Sequence, residues 1–301
     1  MSREAPRPDG GGYGLFTVDV EDWYHPMIKD PARWAGFEDR IGPPTLALLE
    51  LLESTGNRGT FFVLGCVAER HPELVQRILQ GGHEVGTHGQ NHLSLQWIDA
   101  DRFRADLARS LDVLRDAGAR DIVSYRAPYF SLNPTTAWAL PILAEHGIRI
   151  DSSVFPLSTG YYGQGGSANR PHRLGPLFEF PIVLPTLAGL RVPLSGGFYS
   201  RFFPTGWTVA GQEQVRRLGE EPMFYIHPWE LDPGQPRINV GHFLTFRHYL
   251  RLDRTRNMIA AVLRHGRWRT VRESFAELEG AKSAEGDDVS AALSARGAAR
   301  G

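Results

Sequence analysis

The segment His83-Glu84-Val85-Gly86-Thr87-His88-Gly89-Gln90-Asn91-His92 decides the architecture, because a strand-like run, His83 to Thr87, leads straight into two histidines four residues apart. Two imidazoles at that spacing can close on one divalent ion. A carboxylate from elsewhere would complete the three-ligand set of a catalytic metal site that keeps a position open for water. The same spacing also arises by chance on surface helices, so its meaning depends on what surrounds it.

Upstream, Gly14 to Val20 is a short β-type run that enters the carboxylate cluster Thr17-Val18-Asp19-Val20-Glu21-Asp22-Trp23. Leu46 to Leu52 is apolar at helical spacing and stops before Gly56, and Thr60 to Leu64 has the character of a buried strand. His71-Pro72 opens a helix through Leu79 that Gly81-Gly82 ends. Downstream, Asp99 starts a helix with apolar positions at Phe103, Leu107, Leu111 and Leu114, followed by a strand at Ile122 to Tyr125. Asn133-Pro134 caps a helix through Glu145, with Gly147 as its stop and Ile148 to Ile150 as the next strand. The stretch Tyr161 to Gly206 is rich in Gly and Pro and reads as a loop or hairpin region, with β-like pieces at Phe178 to Leu184 and Leu190 to Leu194. The rhythm resumes with a strand at Met223 to Ile226 and a helix from Thr245 to His265.

Strand-helix alternation over most of the chain predicts a parallel α/β architecture. Each polar cluster follows a strand's carboxyl end: Asp19 to Asp22 the first, His88 and His92 the third, Arg126 the fourth, Asp151 the fifth, and His227 the strand at Met223 to Ile226. Barrels of alternating strands and helices build their active sites at that face. The coincidence turns the histidine spacing into a metal-site expectation.

Composition narrows the partners. In 301 residues the formal net charge is −1 and no basic run interleaves with aromatics, which argues against nucleic acid. The single cysteine, Cys66, excludes an internal disulfide framework and suits a reducing compartment. Met1 to Gly12 holds no apolar core of a signal peptide, and no stretch approaches a transmembrane span, so a cytoplasmic protein is expected. Residues 1–12 read as a flexible lead, 13–280 as one catalytic domain and 281–301 as a disordered tail.

Over roughly Leu15 to Trp268 the ordered motifs resemble the polysaccharide deacetylase family, the carbohydrate esterase group with the NodB homology domain. Val18-Asp19-Val20-Glu21-Asp22-Trp23, Gly196-Gly197-Phe198-Tyr199 before Pro204, and Phe224-Tyr225-Ile226-His227-Pro228-Trp229-Glu230 are most similar to the branch found beside exopolysaccharide gene clusters of exosortase-type bacteria. The resemblance implies a distorted, incomplete (β/α) barrel. It assigns Asp19 as the catalytic base and His88 and His92 as metal ligands. Tyr125-Arg126-Ala127-Pro128-Tyr129 matches the motif whose arginine orients the base and whose backbone N–H after the proline helps hold an oxyanion. Asp151 would stand near Arg126, and His227 would be the general acid. Tyr129, Tyr199 and Trp229 are plausible sugar-contacting rings, since sugar faces stack on aromatics. Glu230 is left between a sugar contact and a supporting role.

One departure stands out. Most members of this family carry two adjacent aspartates after the first strand, the second binding metal, whereas Val20 follows Asp19 here. Either Glu21 or Asp22 must substitute. Relatives that space the pair by one residue favour Glu21, whereas ligand length and a breakdown of alternation at the strand end favour Asp22; Asp22 is preferred and both are kept. A site with no metal, as in allantoinase-like relatives, is the third alternative, which retention of both histidines opposes.

The expected activity is metal-dependent hydrolysis of N-acetyl groups from N-acetylhexosamine units of a bacterial exopolysaccharide or its lipid-linked precursor. The metal would be zinc, or cobalt or a similar ion, and the enzyme would associate peripherally with membrane-bound glycan assembly machinery. The rivals are a metal-independent amidohydrolase on the same fold and a carbohydrate-binding pseudoenzyme. The intact set of Asp19, Arg126 and His227 beside both histidines argues against the pseudoenzyme, because a binding module needs neither acid nor base.

Overall fold

The structure is a computed structural model that describes residues 12–158 and 163–280. The expected lead, apart from Gly12, and the expected tail lie outside the described residues, as do Tyr161 and Tyr162.

Strand β1 (Tyr13–Val20) is buried along nearly its whole length, as a parallel strand covered on both faces must be. Helix α1 (Gly42–Ser54) leads to β2 (Thr60–Val63), and α2 (Gly65–Arg70) and α3 (Pro72–Gln80) lead to β3 (Glu84–Thr87). Helix α4 (Ala100–Asp116), capped by the Asp99 side chain on the Arg102 N–H, leads to β4 (Ser124–Tyr125), and α5 (Ala139–Glu145) to β5 (Ile150–Asp151). Each of these strands pairs in parallel with the one before it.

The alternation then lapses. β6 (His172–Leu174) and β7 (Leu177–Glu179) form an antiparallel hairpin whose second strand joins β5 in parallel, and β8 (Thr186–Leu187) with β9 (Leu190–Arg191) makes a separate two-stranded piece. After α6 (Gly197–Phe202) and α7 (Thr205–Arg217), β10 (Met223–Ile226) pairs in parallel with β1. Helices α8 (His242–Tyr249) and α9 (Leu252–Arg264), strand β11 (Arg267–Arg269) against the start of β1, and helix α10 over 271–280 follow. The strand order β10-β1-β2-β3-β4-β5-β7-β6 leaves β10 and β6 as unjoined ends. The result is a mixed α/β fold with an open, curled half-barrel sheet, as the incomplete barrel expected from the motifs requires. Among the described residues no helix is long and apolar enough to cross a membrane.

Alternation along β1 divides its labour. Phe16, Val18 and Val20 enter the larger apolar cluster with Leu48, Leu52 and Ile259, while Thr17 and Asp19 turn to the concave face and meet Arg126.

The sequence expectations needed several corrections. The helix expected over Thr245 to His265 is two helices, because Arg251 adopts a left-handed φ of 48° and breaks the hydrogen-bond ladder. The buried Arg201 guanidinium accepts the consequence, donating to the carbonyls of Arg247, His248 and Leu250. Helices α6 and α7 were not anticipated beside the Gly/Pro-rich stretch, nor was the short α2. The helix expected from Asn133 becomes regular only at Ala139. Of the strand expected at Phe178 to Leu184, only Phe178 and Glu179 lie in regular structure, although Phe180 and Ile182 to Leu184 are buried.

Candidate active site

The carboxyl ends of β1, β3, β4 and β10 enclose a cavity of about 310 Å³ that is lined by Asp19, Glu21, His88, His92, Tyr129, His227 and Trp229. A larger cleft, about 690 Å³, lies at the opposite strand ends around Tyr13, Arg58, Arg77 and Trp268 and contains none of these groups.

Glu21, His88 and His92 are buried together, with one potential ligand atom from each lying within 4.8 Å of the others. The carboxylate that joins the two histidines is that of Glu21, and Asp22 lies apart from them. Alternation persists past the end of β1, so Glu21 follows Asp19 onto the concave face and Asp22 points the other way. Asp22 Oδ1 accepts the Trp23 N–H at 2.8 Å and Oδ2 accepts the Arg40 N–H at 2.7 Å, which makes it a clasp for the loop before α1. Burial pushes the Asp22 carboxyl up to about 6, despite the two N–H donors. The preference for Asp22 therefore fails on direction, not on ligand chemistry.

Each histidine is oriented by its surroundings. His88 Nδ1 donates to the Arg126 carbonyl at 2.8 Å, which fixes the tautomer and leaves Nε2 as the free lone pair. Burial lowers the His88 pKa to about 4, so the imidazole is neutral and able to bind a cation. His92 sits in a left-handed turn, φ 51°, with its Nε2 2.7 Å from Glu21 Oε2 and its ring 4.5 Å from that of Tyr129. Burial would raise the Glu21 carboxyl, but the charge and hydrogen bond of His92, with His227 and His88 beyond, hold it far below the usual carboxylate range. Glu21 Oε2 is fully buried, with the His92 imidazole as its one close polar neighbour. An anionic oxygen and two imidazoles, converging with unspent lone pairs, fit a divalent ion.

Asp19 is held from behind. Its Oδ1 accepts Arg126 Nη1 at 2.8 Å, and its Oδ2 lies 3.9 Å from His227 Nε2. Arg126 is fully buried and spends all five N–H groups: on Asp19, Thr17 Oγ1, the Ser152 carbonyl, Ser152 Oγ and Met223 Sδ. None of these reaches Asp151. That residue instead accepts from Ser153 Oγ, which also accepts the Ala127 N–H, and it shares a buried pocket with Glu179. Asp151 therefore stands near Arg126, as expected, and supports its loop through serine without touching the guanidinium.

His227 faces the cavity with Nε2, 3.5 Å from Glu21 Oε1, while its Nδ1 lies 2.8 Å from Glu230 Oε1. Glu230 Oε2 accepts Arg201 Nε at 2.6 Å, completing a buried Arg201–Glu230–His227 chain. Burial would lower the His227 pKa, but the Glu230 hydrogen bond and the neighbouring carboxylates raise it above its ordinary value. Glu230 thus has the supporting role, and Arg201 is a member that sequence reasoning missed; a buried arginine carries no local sequence signal.

The aromatic expectations divide. Tyr129 lines the cavity beside the exposed Trp97, 5.1 Å away, which sequence reading did not single out. Trp229 also lines it, but is sandwiched between His227 and His248 and donates to Glu21 Oε1 at 3.3 Å, so it positions the carboxylate. Tyr199 is not at the cavity. One residue along α6 turns it about 100° from Phe198, so Phe198 lines the cavity and Tyr199 stacks on Phe155. His25 is fully buried, its Nδ1 accepting the Asp22 N–H, and it does not line the cavity. The Cys66 thiol is pushed up to about 12 by burial and is no nucleophile.

A half-barrel that gathers a buried Glu-His-His cluster, an arginine-held aspartate and a carboxylate-held histidine has the form of a hydrolase centre. Residues 31–150 match the polysaccharide deacetylase family model, and residues 152–276 match a domain of unknown function (DUF3473). The first of these segments is similar to the polysaccharide deacetylase family. Among curated proteins it is 32% identical over 97 residues to chitin deacetylase 1 of Saccharomyces cerevisiae, covering 32% of this chain and 31% of that one. It is 28% identical over 133 residues to the peptidoglycan deacetylase of Helicobacter pylori, covering 44% of each. The chain thus spans less than half the length of the curated relatives it matches. A candidate polysaccharide deacetylase from Mycobacterium smegmatis has a similar fold, with a TM-score of 0.62 at 24% identity over 94% of this chain and 95% of that one.

Proposed function

We propose that the protein removes N-acetyl groups from N-acetylhexosamine units of a polysaccharide in a metal-dependent reaction. The observation that carries this reading is the single cavity in which the Glu21–His88–His92 cluster, Asp19 and His227 converge. The names of the chitin and peptidoglycan deacetylases among its relatives support the substrate class.

A divalent ion held by Glu21, His88 and His92 would supply Lewis acidity and a water acidic enough to ionise near neutral pH. Asp19 is the base: Arg126 fixes Oδ1 and leaves Oδ2 toward the cavity to accept a proton. His227 is the acid. Its Nε2 faces the cavity and donates to the leaving amine, while Glu230 on Nδ1 keeps the ring in register and favours the charged form. Tyr129, at the cavity wall with a left-handed φ of 59°, supplies the backbone N–H that would stabilise the oxyanion. Tyr129 and Trp97 form the ring surface on which a sugar would lie.

The finer reading is an exopolysaccharide or its lipid-linked precursor as substrate, with zinc or cobalt as the ion and glycan assembly at a membrane as the setting. It is supported by the motifs Val18 to Trp23 and Phe224 to Glu230. The decisive experiment measures acetate release from N-acetylglucosamine oligomers together with metal content. Release that depends on added zinc or cobalt and is lost in His88→Ala supports the proposal. Release that survives chelation and His88→Ala favours the metal-independent amidohydrolase, and sugar binding without release under any ion favours the pseudoenzyme.

A further inference from the structure

A ridge of apolar side chains stands exposed beside the mouth of the cavity. Phe202 on α6, Trp207 on α7, and Phe243, Leu244 and Phe246 on α8 are each between 41% and 52% exposed. The ridge is continuous: Phe198 contacts both Phe202 and Phe246, and Phe203 joins Phe202 to Trp207. It also reaches the cavity, since Phe198, Leu244 and Arg247 belong to the lining. Soluble surfaces seldom expose so large a contiguous apolar patch without a partner.

The chain segments next to the ridge residues are free of acid. No Asp or Glu occurs between Glu179 and Glu213, the stretch that carries α6 and the start of α7, nor between Asp232 and Asp253, the stretch that carries α8. The same stretches hold Arg237, Arg247 and Arg251. Arg251 lies at the ridge itself, donating to the Phe202 carbonyl at 3.0 Å, and the Arg247 guanidinium lies 5.8 Å from the Phe198 ring. In a chain with 34 acidic residues, this segregation leaves Arg247 and Arg251 beside the apolar crest.

We propose that this ridge seats the protein on an anionic lipid bilayer, with the cavity opening along the membrane surface. Phenylalanine, tryptophan and leucine bury their side chains at the boundary between headgroup and acyl chain, and arginines beside them neutralise lipid phosphate. The chemistry fits lipid better than glycan. Phe202, Phe243, Leu244 and Phe246 offer no hydrogen-bonding group to the hydroxyls of a sugar. This inference does not rest on the deacetylase reading, because vesicles contain no glycan.

The experiment is co-sedimentation of the full chain with vesicles of mixed phosphatidylglycerol and phosphatidylcholine, against phosphatidylcholine alone. Binding to the anionic vesicles that weakens at high salt is expected. Phe202→Ser and Phe246→Ser, both outside the cavity lining, should each lower partitioning by about tenfold. Their turnover of a soluble oligosaccharide should be unchanged. Failure to pellet with anionic vesicles overturns the proposal, as does binding that both substitutions leave intact. Two other outcomes also overturn it: loss of polysaccharide binding in these variants without vesicle binding, and a dimer of the native chain in analytical ultracentrifugation that Phe246→Ser dissociates.

Discussion

Glu21 and Asp22, adjacent in sequence, serve opposite sides of the first strand: Glu21 Oε2 lies 2.7 Å from His92 Nε2, while Asp22 Oδ2 accepts the Arg40 N–H at 2.7 Å. The two substitutions should therefore separate metal binding from folding. Glu21→Gln is expected to weaken zinc or cobalt binding by more than the ~10–100-fold typical of losing an outer partner of a metal ligand. Asp22→Asn should bind metal normally and instead lose about 1–2 kcal/mol of stability, since one of the two accepting oxygens becomes an NH2 group that faces a backbone N–H. Metal titration and urea unfolding of both variants check this. Normal metal binding by Glu21→Gln would exclude it as the ligand.

Asp19 and Arg126 form a buried ion pair whose two members have different duties. Asp19→Asn keeps an oxygen acceptor for Arg126 and removes the proton acceptor, so the protein should fold, bind metal and lose acetate release by at least about 100-fold. Arg126→Leu removes the cation and leaves Asp19 buried and unpaired, with an expected loss of ~3–5 kcal/mol. Thermal unfolding should thus place Arg126→Leu well below Asp19→Asn, which should melt near the native protein while lacking acetate release. An Asp19→Asn enzyme with native turnover would remove Asp19 from the role of base.

Both Glu230 oxygens are engaged, Oε1 by His227 and Oε2 by Arg201, so its effect on the proposed reaction should pass through His227. Glu230→Gln should leave metal content unchanged and lower kcat by ~10²–10⁴, because the ring keeps an oxygen acceptor but loses the charge that favours its protonated form. The sign of the pH effect is fixed. Glu230 raises the His227 pKa, so its removal moves the alkaline limb of the pH–rate profile to lower pH. A merely structural role for Glu230 would leave that limb in place.

Much of this site was legible in the sequence because its strands announce themselves. Thr60 to Val63 and Met223 to Ile226 are short apolar runs, and the groups that follow them inherit a common face. His88, His92, Asp19, Arg126 and His227 could be brought together on that basis alone. What failed were details set by side-chain direction and by long-range pairing. The choice between Glu21 and Asp22 turned on whether alternation outlasts the last ladder hydrogen bond. Tyr199 was separated from the cavity by one helical step. Arg201 reaches Glu230 across 29 positions, and no local pattern signals such a pair. Helices α6 and α7 were hidden by the glycines and prolines around them, whose turn-forming character outweighs a weak helical period.

Asp151 and Glu179 supply the last prediction, because two fully buried carboxyls side by side cannot both ionise cheaply. Burial raises both, and Glu179 is pushed well above its ordinary value of 4.5, with Asp151 adding to the effect. An acid whose folded pKa lies above its unfolded one stabilises the fold while it holds its proton. That contribution is complete below the unfolded pKa and is lost as pH rises through the folded one, at up to ~1.4 kcal/mol per pH unit. Glu179→Gln retains a donor toward Asp151 and an oxygen for the Val154 N–H, yet carries no titrating proton. Its unfolding free energy should therefore fall less between pH 6 and pH 9 than that of the native protein. Urea melts across that range measure the difference, and parallel curves for the two proteins would show that the pair does not share a proton.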